Sequence, residues 1–327
     1  MDSNISLSTT TISSGFQWTT SFNANRIKFI ILLLLQLLSI PCFLWIFYQF
    51  ARQRQLRQSL NHHVILLLLI ISFLFVTIAL PLTQAFLYTS YVYPTSDIFC
   101  SLWTWIHYSL NIINMFLMAF ASIERNWLIF HPSIVQNRRG KVLFHYGPLI
   151  FCLLYPPLFY IAAIFIWPCE NYYDYTQLLC TWPCYFYNYI WAQVDLFFNN
   201  YTPLLSIPLF CAIIYIRVLI QKHEMKQEVF KWNRDKKMII QLWAISSLYL
   251  GMWMPIQLTG LINTYWDPNF LLQAQVDYIY LFPYLIHLIY PFIVLLTYRK
   301  EMLSFRRNAV VPAITLTERR NMPTMFK

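Results

Sequence analysis

Charged side chains and glycine are both scarce in this chain of 327 residues. Asp, Glu, Lys and Arg together make up 11% of it, and there are five glycines. An ordinary soluble domain carries about 25% charged residues, so this chain has too few to cover a soluble protein of its size. The small glycine count excludes a collagen-like or glycine-rich disordered chain. Hydrophobic residues instead make up 58% of the sequence, which indicates a protein that crosses a membrane several times.

The sequence also lacks the patterns that hold metals or support catalysis. Its seven cysteines form no Cys-x-x-Cys pair and have no histidines at zinc-ligand spacing, so we expect no metal and no cofactor. The membrane-spanning stretches lack the clustered histidines or paired aspartates of membrane-embedded hydrolases. We therefore expect the protein not to be an enzyme.

Seven apolar stretches are each long enough to cross about 30 Å of hydrocarbon. The sequence predicts a Ser/Thr-rich tail over residues 1–26, a seven-helix domain over 27–298, and an amphipathic helix with a tail over 299–327. The fold class predicted is an all-α membrane protein, a bundle of seven transmembrane helices. The stretches run over about 27–50, 64–88, 99–123, 142–167, 187–220, 238–262 and 276–298.

Among the connections between these stretches, basic residues occur only in alternate ones. Lys and Arg occur in the connections after stretches one, three and five and in the C-terminal tail, and the other three connections contain none. The positive-inside rule then predicts an outer N-terminus and a cytoplasmic C-terminus. The formal net charge of +10 lies on the inner face, where it attracts anionic membrane lipid and needs no nucleic acid. Asn4 begins a glycosylation sequon in the outer tail.

Four cysteines lie on the predicted outer side. Cys100 is at the outer end of the third stretch, and Cys169, Cys180 and Cys184 follow in the second outer connection. An oxidising exterior favours disulfides, so we expect Cys100 to be bridged to this connection. The preferred partner is Cys180 and the alternative is Cys184, because spacing alone does not fix the pairing.

The third stretch resembles the third helix of rhodopsin-like G-protein-coupled receptors. That family has a cysteine at the outer end and an Asp/Glu-Arg-Tyr triplet at the inner end, with the arginine 25 residues after the cysteine. Cys100 and Arg125 have this separation, and Glu124 precedes the arginine. Residues 252–255, Met-Trp-Met-Pro, are similar to the family's Cys-Trp-x-Pro. The order of these motifs and their membrane sides carry the resemblance, which covers nearly the whole chain.

Other positions depart from the family pattern. The third residue of the triplet is Asn126, and residues 290–294, Tyr-Pro-Phe-Ile-Val, lack the Asn and Tyr of the family's Asn-Pro-x-x-Tyr. The second stretch contains no Asp, the acid that holds sodium in many members. The resemblance is therefore to a divergent member of the family.

The resemblance implies a receptor of the plasma membrane that binds an extracellular ligand, such as a peptide or a chemosensory cue. Helix rearrangement would then signal to a heterotrimeric G protein. In the inactive state Arg125 would bond to Glu124 and to Asp235, which lies 20 residues before Pro255. A solvated charge cluster is the alternative interpretation of these residues. The coupling and switch residues implied are Glu124, Arg125, Asp235, Tyr215, Trp253, Pro255 and Pro291.

Polar residues inside the apolar stretches are the candidates for contact with a ligand, because such groups are costly in a membrane. His107 occupies the position where amine receptors of the family carry Asp, so an amine-type salt bridge is not expected there. His107 could equally be a hydrogen-bonded core histidine, and Asp195 and Asp277 lie near outer ends where water could reach them. The candidate set is His107, Asn111, Asp195, Trp253, Gln257 and Asp277.

Two other kinds of seven-helix protein fit the sequence less well. A retinal protein needs a lysine in its seventh helix, and none occurs over residues 276–298. A transporter, channel or lipid scramblase that does not couple to a G protein is the alternative to a receptor. Paired charges and glycine-broken helices, which transport favours at mid-membrane, are nearly absent.

Overall fold

The structure, a computed structural model, describes residues 22–53, 60–130, 137–224, 229–267 and 269–308. Every regular element within these ranges is helical, and seven long helices follow one another along the chain. Three are continuous: α1 is Phe22–Arg52, α3 is Asp97–Phe130 and α6 is Val229–Tyr265. The tail that contains Asn4 lies outside the described residues.

The other four helices are built from consecutive segments. The second helix, α2, joins Leu60–Leu74, a π segment Phe75–Ala79 and Leu80–Thr89. The fourth helix, α4, joins Arg138–Lys141, a π segment Val142–Tyr146, Gly147–Ile161 and a π segment Ala162–Ile166. The fifth, α5, joins Tyr189–Val194, a π segment Asp195–Tyr201 and Thr202–Glu224. The seventh, α7, joins Leu272–Asp277, a 3₁₀ segment Ile279–Leu281 and Phe282–Asn308.

Each of the seven helices is long and apolar enough to cross a membrane. The spans differ from the predicted stretches by at most a few residues at either end, which confirms the prediction of a seven-helix bundle. The orientation of the termini stays a prediction. Residues 299–308 are helical and continue α7 without a break, and their position on the membrane surface also stays a prediction.

The four π segments share one sequence feature, a proline two residues beyond their last residue. The segments end at residues 79, 146, 166 and 201, and the prolines are Pro81, Pro148, Pro168 and Pro203. Proline lacks the N–H of a regular helical bond, and its ring displaces the carbonyl one turn earlier. The preceding turn widens to re-pair its carbonyls, which is how membrane helices accommodate proline.

The third helix forms the centre of the bundle. In the most apolar part of α3, 72% of residues are buried, compared with 28% in α1. It packs against α2, α4 and α5, while α1 lies outside against α2 and α7, and α6 lies between α5 and α7. α3 therefore contacts several helices at once, and its polar residues form hydrogen bonds with those helices.

The connection between α4 and α5, here called the outer cover (residues 167–188), folds back onto the bundle. Disulfides join Cys100 to Cys180 and Cys169 to Cys184; sequence reasoning did not include the second bridge. Thr104 Oγ1 of α3 donates to the carbonyl of Leu179 at 3.2 Å. The cover is therefore attached to α3 by a covalent bond and a hydrogen bond.

Candidate functional site

A buried polar network, here called the central network, joins four helices. Asn114 of α3 donates from Nδ2 to Ser72 Oγ of α2 at 2.8 Å, and the same nitrogen lies 3.1 Å from His287 Nδ1 of α7. Tyr249 of α6 donates its hydroxyl to Asn114 Oδ1. All four side chains are at most 1% exposed. A polar group without a partner is costly in such surroundings, so these contacts fix how the four helices face one another.

The network continues outward along α3. His287 Nε2 lies 3.3 Å from Asn111 Oδ1, and Asn111 Nδ2 donates to the backbone carbonyl of His107 at 2.8 Å. The imidazole of His287 is stacked on Phe75 with 4.0 Å between ring centroids. Since Nδ1 accepts from an amide and Nε2 faces a carbonyl oxygen, the partners indicate the neutral tautomer with the proton on Nε2.

The central network is neutral in the part of the chain that the structure describes. Its members are two amides, two hydroxyls and one imidazole: Asn111, Asn114, Ser72, Tyr249 and His287. The absence of Asp from the second stretch is thus matched by side chains that bond one another without a cation. Sequence reasoning named Asn111 as a ligand candidate and missed Ser72 and Tyr249.

The predicted switch residue Trp253 lies one turn outward of Tyr249 on α6 and is 7% exposed. Pro255 follows within the same helix. Because proline has no N–H, the carbonyl of Gly251 receives no regular helical bond, which permits α6 to bend at this turn. A bend there would move Trp253 and Tyr249 relative to each other.

The outer half of the bundle contains a small aromatic group around His107. Its ring is 5.3 Å from both Phe75 and Tyr284, measured between centroids, and Thr83 Oγ1 donates to the Tyr284 hydroxyl at 3.1 Å. His107 is 7% exposed, and its Nδ1 has no hydrogen-bond partner among the described residues. The two interpretations of His107 thus remain: a core histidine by burial, and a ligand contact by its free ring nitrogen.

Asp195 is buried and not exposed to water at the outer end of its helix. It begins the π segment of α5, is 3% exposed, and accepts from Tyr160 at 2.7 Å, Tyr185 at 3.2 Å and Asn199 at 2.7 Å. Burial is the main cause that raises the pKa of Tyr185 well above its ordinary value. This hydroxyl therefore stays protonated and donates to the carboxylate, which anchors the outer cover to α5.

Two further ligand candidates already have protein partners. Asp277 of α7 lies 3.6 Å from the ammonium group of Lys28, and this ion pair joins α7 to α1. Gln257 of α6 donates to Asn200 Oδ1 of α5 at 2.9 Å. Both contacts are between helices, so these residues have a structural role that the sequence pattern did not indicate.

The inner ends of α3 and α4 meet at Glu124. Its carboxylate contacts Nδ1 of His145 from α4, and His145 Nε2 lies 3.1 Å from Nδ1 of His63 at the start of α2. Glu124 is 3% exposed and Arg125 is 4% exposed. Both side chains are therefore buried in the protein rather than solvated. Sequence reasoning missed His145 and His63.

Two other predicted switch residues lie on α5 and α7. Tyr215 of α5 is 50% exposed and packs edge-on against Trp243 of α6 at 6.0 Å between ring centroids. Pro291 lies inside α7. The side chain of Asp235 lies outside the described residues, so its bond to Arg125 stays a prediction.

Asn126 takes the place of the expected tyrosine and connects α3 to α5. Its Nδ2 donates to the carbonyls of Ser122 at 3.0 Å and of Phe210 at 3.2 Å. The amide of Asn126 therefore links α3 to the backbone of α5.

Comparison with known proteins gives one family and one fold. The family model described as 7 transmembrane receptor (rhodopsin family) matches residues 43–294. No curated protein sequence matches the chain. The crystal structure of squid rhodopsin superposes with a TM-score of 0.68 at 17% sequence identity, covering 84% of this chain and 78% of that chain. At this identity the likeness to squid rhodopsin concerns the fold.

Proposed function

The chain belongs to the rhodopsin family of seven-transmembrane G-protein-coupled receptors, and we propose that its central network transmits the binding of an extracellular ligand to a heterotrimeric G protein. The observation that carries this proposal is the position of Asn114, which contacts side chains of α2, α6 and α7 from its place on α3. A receptor needs two packings that differ by a few kcal/mol. A four-helix junction changes only when several helices move together.

The ligand would act on the network through His107. Its backbone carbonyl accepts from Asn111, and Asn111 faces His287. A ligand that bonds the free Nδ1 of His107 therefore acts two side chains away from Asn114. Trp253 supplies a second route, since it lies one turn from Tyr249 on α6. The ligand class stays as predicted from sequence, a peptide or a chemosensory cue, and no lysine is present over residues 276–298 to carry retinal.

In this proposal, Arg125 is the residue of α3 that contacts the G protein. It lies 11 residues after Asn114 on the continuous helix α3, which is about three turns along nearly the same face. The G protein would bind where α6 moves away from α3 and Arg125 is released. The basic residues of the inner connections would hold this face against anionic lipid of the plasma membrane. The family consists of signalling receptors rather than enzymes.

The experiment is a basal G-protein activation assay in cells that express the receptor with each class of Gα subunit. Asn114→Ala removes the contacts of Asn114 with Ser72 and His287 and its hydrogen bond with Tyr249. It should raise basal activation several-fold for the class of Gα subunit to which the receptor couples. Ser109→Ala is the matched control, because Ser109 is 4% exposed on the same helix and its hydroxyl has no partner among the described residues. A ligand screen, peptides first, follows on the Asn114→Ala background.

The alternative function predicts a different result. A transporter, channel or scramblase would show ion or lipid flux in proteoliposomes and no activation of any Gα class by Asn114→Ala. That outcome, with normal expression at the cell surface, would overturn the proposed coupling.

A further inference from the structure

The imidazole of His287 lies at the centre of the central network. Its Nδ1 lies 3.1 Å from both Asn114 Nδ2 of α3 and Ser72 Oγ of α2, and its Nε2 lies 3.3 Å from Asn111 Oδ1 of α3. Phe75 of α2 covers one face of the ring at 4.0 Å between centroids. His287 is 1% exposed, so one side chain of α7 occupies the space that these polar groups enclose.

Many members of the rhodopsin family hold a sodium ion against an Asp of the second helix. In this chain α2 contains neither Asp nor Glu. Ser72, the α2 member of the network, is 0% exposed and brings no charge. A cation among membrane helices is costly unless a carboxylate balances it. The donor set of the central network therefore does not fit sodium.

The side-chain oxygens of the network are also engaged with protein partners. A hard cation needs several oxygen ligands at once. Asn114 Oδ1 accepts from Tyr249, and Asn111 Oδ1 faces His287 Nε2. Ser72 Oγ accepts from Asn114 Nδ2 at 2.8 Å. A cation would break these bonds, and on the side of α7 it would meet ring nitrogens in place of oxygens.

The imidazole links the helices that a bound ion would otherwise hold together. In the neutral tautomer that its partners indicate, it accepts at Nδ1 and donates at Nε2. One ring thereby bonds α7 to both α2 and α3. The stabilisation that a bound solute gives depends on its concentration, whereas a side chain is always present. The link through His287 therefore has the same strength in any salt.

We propose that the imidazole of His287 takes the place of sodium in the central network, so that the resting packing of this receptor is independent of sodium. The part of the proposal that concerns the cation stands on the contacts of the network alone. The part that concerns signalling rests on the proposed function: basal activation of the G protein should be the same with and without sodium.

The test compares the melting temperature of the full-length receptor in lipid nanodiscs in sodium chloride and in choline chloride at equal ionic strength. A site half-filled at about 10 mM sodium would raise the melting temperature by about 3 °C at about 100 mM. The wild type should show no such rise. A rise of this size in the wild type would overturn the proposal, and this comparison needs no variant.

Three variants separate the ring from the missing carboxylate. Ser72→Asp combined with His287→Ser supplies a carboxylate and removes the ring, so it should gain the rise of about 3 °C in sodium. Ser72→Asp alone should not gain it, because His287, 3.1 Å from Ser72 Oγ, pairs with the new carboxylate. Ser72→Asp with His107→Ser is the matched control. It removes another buried histidine that packs on Phe75 and keeps His287, so it should follow Ser72→Asp.

Two results from the variants would refute the exclusion of sodium by the ring. One is a sodium-dependent rise in Ser72→Asp alone, and the other is its absence in the folded combination with His287→Ser. If that combination does not fold, Asn111→Asp with His287→Ser replaces it, because Asn111→Asp keeps the shape of a side chain that lies 3.3 Å from the ring.

Basal nucleotide exchange on purified G protein in the same two salts gives the signalling readout. The wild type should show equal rates, and the folded combination should lose up to about tenfold in sodium, which would stabilise its resting packing. Unequal rates in the wild type would contradict the proposal. If no variant activates any G protein, the proposed coupling fails, and the melting temperatures alone decide whether His287 takes the place of the ion.

Discussion

Replacing Tyr249 with phenylalanine removes one hydroxyl from the central network and leaves the ring in place. Tyr249 is the only member on α6 among the described residues, and its hydroxyl donates to Asn114 Oδ1. The two side chains are 0% and 1% exposed, so water does not replace the lost donor. The variant leaves the Asn114 carbonyl oxygen unpaired and loosens α6 from α3.

The size of this effect follows from hydrogen bonds between membrane helices. Such bonds contribute about 0.6 kcal/mol on average and at most about 1.7 kcal/mol, and an unpaired buried acceptor costs about 1–3 kcal/mol. We expect a loss near 1.4 kcal/mol, which is about a tenfold change in an equilibrium. A receptor with about 1% of molecules active at rest would rise to about 10%. The direction follows from the proposed mechanism, in which α6 moves away from α3 on signalling.

The assay is basal G-protein activation normalised to receptor at the cell surface, with the melting temperature of the purified receptor as a second readout. Tyr160→Phe is the matched control, because it removes a buried tyrosine hydroxyl that donates to Asp195 at 2.7 Å in the outer half of the bundle. The control should lower stability without raising basal activation. Equal basal activation in Tyr249→Phe and the wild type, with a normal response to agonist, would refute the proposed role of the network.

Three other contacts give predictions that concern stability. Lys28→Ala should lower stability by about 1 kcal/mol or less, as for a partly exposed ion pair, and exchanging Lys28 and Asp277 for each other should restore most of the loss in a thermal-melting assay. Cys184→Ser removes a disulfide whose cysteines are 15 residues apart and should cost about 3 kcal/mol in the same assay; unchanged melting would contradict the pairing. Hydrogen bonds from Thr176 are the main cause that lowers the pKa of Asp174. The Asp174 carboxylate therefore stabilises the outer cover at pH values above the ordinary pKa of about 4. This stabilisation is lost as the pH falls through the lowered pKa. Thr176→Val should therefore destabilise the cover at pH 7, and this effect should shrink as pH falls through the lowered pKa of Asp174, as measured by hydrogen exchange of the cover.

The seven spans could be predicted because each depends on a local property, a run of apolar residues long enough for the bilayer. The choice of Trp253 and Arg125 rested on motif positions along single helices. The partners of Asn114 could not be predicted in this way. Ser72 and Tyr249 contact it only when α2, α3 and α6 have a particular rotation and depth in the bundle. No spacing in the sequence encodes those rotations directly.

Two residues of the site lie in π segments. His145 lies inside Val142–Tyr146 and Asp195 begins Asp195–Tyr201. A π turn adds one residue per turn and rotates everything beyond it relative to a regular helix. Counting in steps of 3.6 residues therefore misplaces the residues that follow such a turn. The proline two residues beyond each segment is the sequence feature that accompanies these turns.

The outer cover has a consequence for the rate at which a ligand arrives. It is bridged to α3 by a disulfide, its Tyr185 is 0% exposed, and its Trp182 packs against Tyr280 of α7 at 6.3 Å between ring centroids. A ligand that approaches from the aqueous side must wait for this cover to shift, or must enter between helices from the lipid. Binding that requires a conformational change associates more slowly than about 10⁵ M⁻¹s⁻¹. Once inside, the same cover delays departure, so this receptor should respond slowly to its ligand and signal for long after each encounter.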